Sequence, residues 1–259
     1  MVDTHSHIGL RDDNVGAIVA RAAVAGVEPI LTVGLEEESN RRAIALAGEH
    51  DAIFACVGRH PNSATGWDDA ARADLRALSE EPGVVAVGET GLDYFRDGAP
   101  RSDQLRAFRD QIAIAREVAK PLVIHMRSGD GPDRDAVAEC FDFLGGEAEG
   151  VAVILHCFSA PAERVADAAR HGWFCSFAGN ATYPKAQALR DAAKLVPDEL
   201  ILVETDSPYL APQSRRGKPN EPAFVVETAR EIAAARGETY AELERLVSAN
   251  AERAFQWHG

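Results

Sequence analysis

Residues 84–115 read VVAVGETGLDYFRDGAPRSDQLRAFRDQIAIA and form the clearest strand-to-helix unit of the chain. Val84–Val87 are a short apolar run without polar alternation, which is typical of a strand buried on both faces. After a loop, Ser102 is the expected N-cap of an amphipathic helix. The apolar face of that helix consists of Leu105, Phe108, Ile112 and Ala115. The stretch predicts a buried strand followed by a helix that packs on it.

The same unit recurs along the chain. The predicted strands are Val2–His5, Ile30–Val33, Ile53–Val57, Val84–Val87, Pro121–Ile124, Val151–Leu155, Trp173–Ser176 and Leu200–Val203. The other predicted helices are Asn14–Ala25, Glu36–Glu49, Asp68–Ser79, Asp133–Leu144, Pro161–Arg170, Pro184–Val196, Glu221–Arg236 and Thr239–Phe255. Eight such units favour an α/β fold, a closed TIM (β/α)8 barrel, over an open doubly wound sheet. Since no linker divides two cores, we expect one domain over residues 1–259.

Composition limits the possible partners. The chain has 259 residues, 46% of them hydrophobic and 26% charged, which excludes a disordered or collagen-like protein. Its 27 basic and 41 acidic residues give a net charge of -14. No bulk positive field is therefore available to hold nucleic acid through its phosphates, and any binding of a polyanion must be local or mediated by metal.

Cysteine usage and the amino-terminal sequence indicate a location. The four cysteines, Cys56, Cys140, Cys157 and Cys175, are scattered and form no Cys-x-x-Cys pair. No basic amino-terminal region with an apolar segment is present, and no apolar run is long enough to cross a bilayer. We expect a cytoplasmic protein with no membrane association and no obligate protein partner.

Metal-binding residue types follow five of the predicted strands. His5 and His7 end the first strand, and side chains two residues apart in a strand point to the same side. The other strand ends supply Glu89, His125, His156, Glu204 and Asp206. A single histidine or glutamate at such a position is more often a hydrogen-bonded core residue. Together they predict a metal site, because catalytic groups of these barrels lie where the strands end.

These segments resemble the TatD family of metal-dependent deoxyribonucleases, within the amidohydrolase-like barrels. The resemblance covers nearly the whole chain. The segments that carry it are Asp3–His7, Gly58–Pro61, Gly88–Tyr94, Pro121–His125 with Arg127, His156–Ser159, Glu204–Pro208, Arg216–Pro222, Asn250 and Phe255. Arg59, Thr90 and Ala160 depart from the usual pattern, but none of these departures removes a metal ligand.

The resemblance implies two divalent metal ions bridged by Glu89. It assigns His5, His7 and Asp206 to one ion, and His125 and His156 to the other. Asp206 would also act as the general base that takes a proton from water. Glu204, on the same strand face as Asp206, either has a catalytic role, orienting a ligand or binding metal, or is an inward carboxylate satisfied by its neighbours. The imidazoles favour Zn, Mn, Ni or Co, whereas nucleic-acid hydrolysis often uses Mg.

Substrate-binding residues are less sharply defined. His60 resembles a family residue near the scissile phosphate, where it would contact the substrate or protonate the leaving group, and a solvent-facing loop histidine is the alternative. Arg127 suits a bidentate clamp on phosphate, although a salt bridge to Asp130 or Asp133 explains it equally well. Two features in loops also have a purely structural interpretation. Arg215, Arg216 and Lys218 form a basic cluster that either meets a nucleic-acid backbone or is solvated, and Asp93 is expected to cap local backbone and not to bind metal.

The leading functional hypothesis is metal-dependent hydrolysis of phosphodiester bonds, with DNA trimmed from its 3′ end as the resemblance implies. The alternative is hydrolysis of an ester or amide, such as a D-aminoacyl-tRNA or a small amidohydrolase substrate, because the same kind of site attacks carbonyl carbon as readily as phosphorus. DNA is therefore the expected substrate and tRNA the second candidate.

Overall fold

A closed parallel barrel forms the framework of the protein. The computed structural model describes residues 1–10, 14–96, 98–131 and 133–257. Eight strands pair in parallel in the order β1 to β8. They are β1 Asp3–Ser6, β2 Ile30–Val33, β3 Ile53–Val57, β4 Val84–Asp93, β5 Leu122–Arg127, β6 Val153–Leu155, β7 Phe174–Phe177 and β8 Ile201–Val203. The predicted (β/α)8 fold is confirmed.

The barrel closes where β1 meets the segment that follows β8. Ser6 and Ser207 form a parallel bridge. The backbone N–H of His7 donates to the carbonyl of Ser207 at 2.7 Å, and that of Asp206 donates to the carbonyl of His5 at 2.9 Å. Closure therefore joins the first strand to the segment after the last strand at the positions that carry candidate metal ligands.

Helices cover the outside of the barrel. Within the described residues they are α1 Val15–Val24, α2 Glu37–Glu49, α3 Asp69–Leu78, α4 Arg101–Glu117, α5 Ala136–Glu147, α6 Arg164–His171, α7 Gln187–Leu195, α8 Val225–Arg236 and α9 Tyr240–Phe255. The apolar core fills the barrel and continues beneath these helices as a single cluster. No helix in the described ranges is both long and apolar enough to span a membrane.

Helix α4 begins earlier than its sequence pattern predicts. Ser102 is not its N-cap, because Pro100 occupies that position and Arg101 is the first helical residue. The carbonyl of Pro100 accepts hydrogen bonds from the N–H groups of Asp103 at 3.0 Å and Gln104 at 3.1 Å. The ring of Pro100 fixes its φ near the value required there, so the helix starts without a side-chain cap.

Strand β4 is longer than predicted because its glycines lie within the strand. The prediction ended at Val87, whereas β4 continues to Asp93 and pairs with β5 as far as Arg127. A Cβ on Gly91 would lie 2.1 Å from the carbonyl oxygen of His125, and the φ of Gly91 is +132°. Glycine is needed for this close approach of the two backbones. The extended strand carries Glu89 and Asp93 to the barrel mouth.

We expect Gly91→Ala to destabilise the protein by about 3 kcal/mol, because the added Cβ meets the backbone of β5 and the φ is unfavourable for L residues. Gly146→Ala is the control, since Gly146 lies in α5 with no atom within 4 Å of the added Cβ. That control should be neutral or slightly stabilising. Urea unfolding measures both variants, and equal stability of the two would contradict the close packing of β4 on β5.

Candidate metal centre

A single buried carboxylate lies at the centre of the barrel mouth. Glu89, in β4, is 2% exposed. Its Oε2 lies 3.4 Å from Nε2 of His5 and 3.6 Å from Nε2 of His7. Its Oε1 lies 2.5 Å from Nδ1 of His125 and 3.3 Å from Nε2 of His156. The two oxygens therefore face two different sets of histidines.

The first set consists of His5, His7 and Asp206. The Nε2 atoms of His5 and His7 lie 3.3 Å apart, as expected for neighbours on one face of β1. Oδ1 of Asp206 lies 3.4 Å from Nε2 of His7. Nδ1 of His7 lies 2.9 Å from the carbonyl oxygen of Val33, to which it donates as N–H. That bond leaves the lone pair of Nε2 facing the site, the arrangement found in metal-binding histidines.

The second set lies around Oε1 of Glu89. His125 extends from β5 with Nε2 at 3.2 Å from Oδ2 of Asp93. The rings of His125 and His156 are 6.1 Å apart between centroids, whereas His125 and His60 are 4.5 Å apart. Oε1 of Glu89 is also 3.6 Å from Nε2 of His60. The assignment of His125 and His156 to one ion stays a prediction, but all six predicted ligands lie in one cluster.

Glu204 holds His156 in place. The Glu204 side chain is fully buried, and its Oε1 accepts hydrogen bonds from Nδ1 of His156 and from the N–H of Cys157, both at 2.8 Å. The bond from Nδ1 to Glu204 fixes the ring of His156 so that Nε2 faces Glu89 at 3.3 Å. Of the two roles considered for Glu204, orientation of a neighbouring ligand agrees with these contacts.

Asp93 caps local backbone with one carboxylate oxygen and faces His125 with the other, and the sequence analysis identified only the cap. Its Oδ1 accepts from the N–H groups of Phe95 at 2.9 Å and Arg96 at 3.0 Å, so it caps local backbone as predicted. Its Oδ2 accepts from the amide of Asn62 at 2.8 Å and faces His125. The missed signal is the spacing of Glu89, Gly91 and Asp93, which places both carboxylates on one face of an extended strand. Asn62 was also missed.

The histidines around Glu89 reverse the effect of burial on its pKa. Burial acts to raise the pKa of a carboxyl group, but His156 and His125 hold the pKa of Glu89 well below its usual range. Burial likewise acts to lower the pKa of His156, but Glu204 and Glu89 raise it well above its usual value. Burial lowers the pKa of His60 to about 3. Glu89 is thus ionised and His60 neutral.

These side chains fit divalent metal ions. Three trios have ligand atoms within 4.8 Å of one another: His5, His7 and Asp206; His5, Glu89 and His156; and His60, Asp93 and His125. In the described part of the chain, every ion-pair partner of Glu89 is a histidine. Nδ1 of His5 and Oε2 of Glu204 are buried there without hydrogen-bond partners. Buried carboxylates without a strong cation are costly, and a divalent ion supplies that charge.

A cleft of about 860 Å³ opens above the cluster. Its lining includes His7, His60, Glu89, His125, His156, Asp206, Arg96, Arg127 and Tyr209. The guanidinium of Arg127 lies 4.1 Å from the centre of the Phe95 ring. Among the described residues it makes no ion pair with Asp130 or Asp133, so a salt bridge does not explain it.

The basic cluster after β8 is engaged elsewhere. Arg215 pairs with Glu227 at 2.9 Å, and Arg216 lies 4.3 Å from the centre of the Tyr183 ring. Neither these two residues nor Lys218 belongs to the described lining of the cleft. The cluster therefore does not supply positive charge to the cleft, although the sequence suggested that it could meet a nucleic-acid backbone there.

Comparison with known proteins gives consistent matches over the full length. The family model described as TatD related DNase matches residues 2–256. The chain is 40% identical to the uncharacterized metal-dependent hydrolase TatD of Mycobacterium tuberculosis, covering 98% of this chain and 97% of the relative. It is 32% identical to the 3′-5′ ssDNA/RNA exonuclease TatD of Cronobacter sakazakii, covering 94% and 92%. The crystal structure of YJJV, a TatD homologue from Escherichia coli, superposes with a TM-score of 0.90 at 26% identity, covering 99% and 98%.

We expect Glu89→Ala to lose at least one equivalent of bound divalent metal, because both sets of histidines lose the carboxylate that they share. Metal content after equilibration with Mn²⁺ and gel filtration measures the loss. Glu49→Ala is the matched control, since Glu49 is on the surface and its side chain is 57% exposed. Unchanged metal content in Glu89→Ala would contradict the ligand role of Glu89.

A pair of substitutions at Glu204 separates orientation from direct binding. Glu204→Ala removes the acceptor for His156 and should weaken Mn²⁺ binding by about 10–100-fold. Glu204→Gln keeps a carbonyl oxygen that accepts the same two bonds and should bind Mn²⁺ nearly as the unmodified protein does. Isothermal titration measures both affinities. Equal losses in the two variants would show that the charge of Glu204 matters and would contradict an orienting role.

Proposed function

The chain belongs to the TatD-related DNase family, a family of metal-dependent hydrolases, and on this premise we propose that it removes nucleotides from the 3′ end of single-stranded DNA. The observation that carries the proposal is the division of the Glu89 oxygens between two sets of histidines. Such a division suits two metal ions at one phosphodiester, the arrangement of many nucleases. The name of the relative from Cronobacter sakazakii, a 3′-5′ ssDNA/RNA exonuclease, supports the same substrate and direction.

The histidine ligands are assigned by the oxygen of Glu89 that each one faces, and Asp206 is assigned by its position beside His7. His5, His7 and Asp206 would hold one ion with Oε2 of Glu89, and His125 and His156 would hold the other with Oε1. Bound divalent ions supply Lewis acidity at a phosphoryl oxygen and lower the pKa of water. The imidazole-rich set suits Zn²⁺, Mn²⁺, Co²⁺ or Ni²⁺, and Mg²⁺ is the further candidate during catalysis.

Asp206 is the proposed general base. Asp206 lines the cleft, 15% of its side chain is exposed, and its Oδ1 lies 3.4 Å from Nε2 of His7. Burial acts to raise the pKa of Asp206, but its hydrogen bond with His7 and the charge of His156 lower the pKa below its usual value. The carboxylate is therefore ionised and available to take the proton of the attacking water, since proton transfer requires a group within hydrogen-bond reach.

His60 is the proposed hydrogen-bond donor to the phosphate. Its Nδ1 accepts from the N–H of Asn62 at 3.1 Å, which requires a lone pair on that nitrogen. The ring is therefore neutral and carries its proton on Nε2, which faces the cleft beside Glu89. A neutral imidazole donates to a phosphoryl oxygen and is not a charged acid for the leaving group. Of the two roles considered for His60, substrate contact is the one we propose.

The whole chain, residues 1–259, is proposed to act as one catalytic domain. The continuous apolar core supports this assignment. The cysteines of the described chain are all free thiols, which supports the proposed location in a reducing cytoplasm.

We expect the protein, supplied with Mn²⁺ or Mg²⁺, to shorten a 5′-labelled single strand of DNA stepwise from its 3′ end. Asp206→Asn should reduce this rate by about 100-fold or more, because it removes the base. Asp69→Asn is the matched control, since the Asp69 side chain is fully exposed on α3. Gel electrophoresis of the labelled products measures all three proteins.

A parallel incubation with D-aminoacyl-tRNA tests the alternative. The net charge of -14 weakens the binding of DNA and tRNA alike, because both are long polyanions, so the comparison of the two reactions has to separate them. Intact DNA beside deacylated tRNA would contradict the nuclease proposal and assign the site to carbonyl substrates. Shortened DNA beside intact aminoacyl-tRNA is the expected result.

A further inference from the structure

A second groove adjoins the metal cleft. It has a volume of about 630 Å³ and shares Met126, Arg127 and Ser159 with the cleft. Its lining also includes Ser128 and Arg164. The two spaces are therefore adjacent, and Arg127, which lines both, marks their junction. A polymer whose terminal phosphodiester lies over Glu89 has to leave the cleft along some path, and this groove adjoins the cleft directly.

The junction has an unusual pair of side chains. The guanidinium of Arg127 lies 4.1 Å from the centre of the Phe95 ring, and Phe95 is nevertheless 56% exposed. A phenylalanine ring in water is unfavourable unless something covers it, and here the guanidinium covers one face only. Tyr94 and Trp67 are both 5% exposed, whereas Tyr209, which lines the cleft, is 47% exposed. Phe95 is thus the exposed ring that stacks on Arg127 and has room to stack on a base.

The partners of Phe95 and Arg127 set their geometry. The N–H of Phe95 donates to Oδ1 of Asp93 at 2.9 Å, and Asp93 in turn faces His125. Arg127 lies in β5, two residues beyond His125 and on the same side of the strand. The ring and the guanidinium are therefore fixed to the same two strands that carry the candidate metal ligands. Their distance from the metal centre cannot vary independently of the catalytic groups.

The charge of the groove determines which interaction dominates there. Arg164 is paired with Asp167 at 3.1 Å, and the carboxylate of Asp135, which also lines the groove, caps α5. The lining holds three arginines, Arg127, Arg134 and Arg164, and two acidic residues, Asp135 and Glu163, so its formal charge is only +1 in a protein of net charge -14. Stacking of a base on an aromatic ring needs no net positive charge and contributes substantially to single-strand binding. Base stacking therefore adds to the affinity that this small positive charge provides.

We propose that Phe95 and Arg127 form a nucleotide subsite that takes an unpaired base on the Phe95 ring and an upstream phosphate on the Arg127 guanidinium. This inference rests on the proposed nuclease function and deepens it. It directs the strand upstream of the scissile bond past Arg127, which lines the second groove, with Phe95 stacked on Arg127 beside that groove. A base stacked on Phe95 has to be unstacked from its neighbours and unpaired, so the subsite selects single strands over duplex.

The test compares two substrates that differ in length. A short single-stranded oligodeoxynucleotide spans the cleft and the groove, whereas bis(p-nitrophenyl) phosphate is a phosphodiester too small to extend beyond the cleft. Phe95→Ala should lower the ratio of kcat/KM for the oligonucleotide to kcat/KM for the small ester by about tenfold, through KM. Phe95→Trp should restore the ratio. Leu195→Ala is the control, because Leu195 is 60% exposed on α7 and lies outside both spaces.

A second readout isolates Arg127. Arg127→Gln should reduce the magnitude of the slope of log(kcat/KM) against log salt for the oligonucleotide by about 0.7, because one phosphate contact is lost. An unchanged substrate ratio in Phe95→Ala, with DNA still degraded, would overturn the subsite and leave the nuclease function intact. Failure of the unmodified protein to degrade DNA while it cleaves the small ester would overturn the nuclease function, and the subsite with it.

Discussion

The buried charge of Glu89 is the constraint on which the barrel mouth depends. A carboxylate that is 2% exposed cannot remain ionised without cations around it, and the described residues offer it only histidines. Those histidines are in turn fixed by second partners: Val33 for His7, Glu204 for His156 and Asp93 for His125. The cluster is therefore a preorganised set of ligands, and divalent cations would supply the positive charge that its buried carboxylates require.

Backbone contacts of the barrel, and not the ligand side chains alone, determine this arrangement. Closure between β1 and the segment after β8 places His7 next to Asp206, and the glycines of β4 let it run close enough to β5 to bring Glu89 against His125. The same two strands carry Phe95, which follows β4, and Arg127 of β5, so substrate recognition at the junction and metal binding share one framework. The position of the proposed subsite relative to the candidate metal ligands is therefore set by one pair of neighbouring strands.

Much of this could be predicted from the sequence, because buried parallel strands are short apolar runs and their ends carry the ligands. The eight strands, the order of the helices and the candidate ligands were identified in that way. The course of β4 beyond Val87 was not, since Gly88 and Gly91 have the composition of a turn and only the neighbouring strand explains them. The start of α4 was missed because the backbone of Pro100, and not a polar side chain, begins that helix. The second bond of Asp93, from Asn62, is a tertiary contact that no local pattern encodes. The stacking of Arg127 on Phe95 is likewise a contact between two strand ends.

Anomalous diffraction from crystals equilibrated with Mn²⁺ tests the central claim most directly, namely that Glu89 divides its two oxygens between two metal ions. The expected map has two peaks about 3.5–4 Å apart, one beside Oε2 with His5 and His7 and the other beside Oε1 with His125 and His156. A single peak, or two peaks on the same side of the Glu89 carboxylate, would contradict the bridging role.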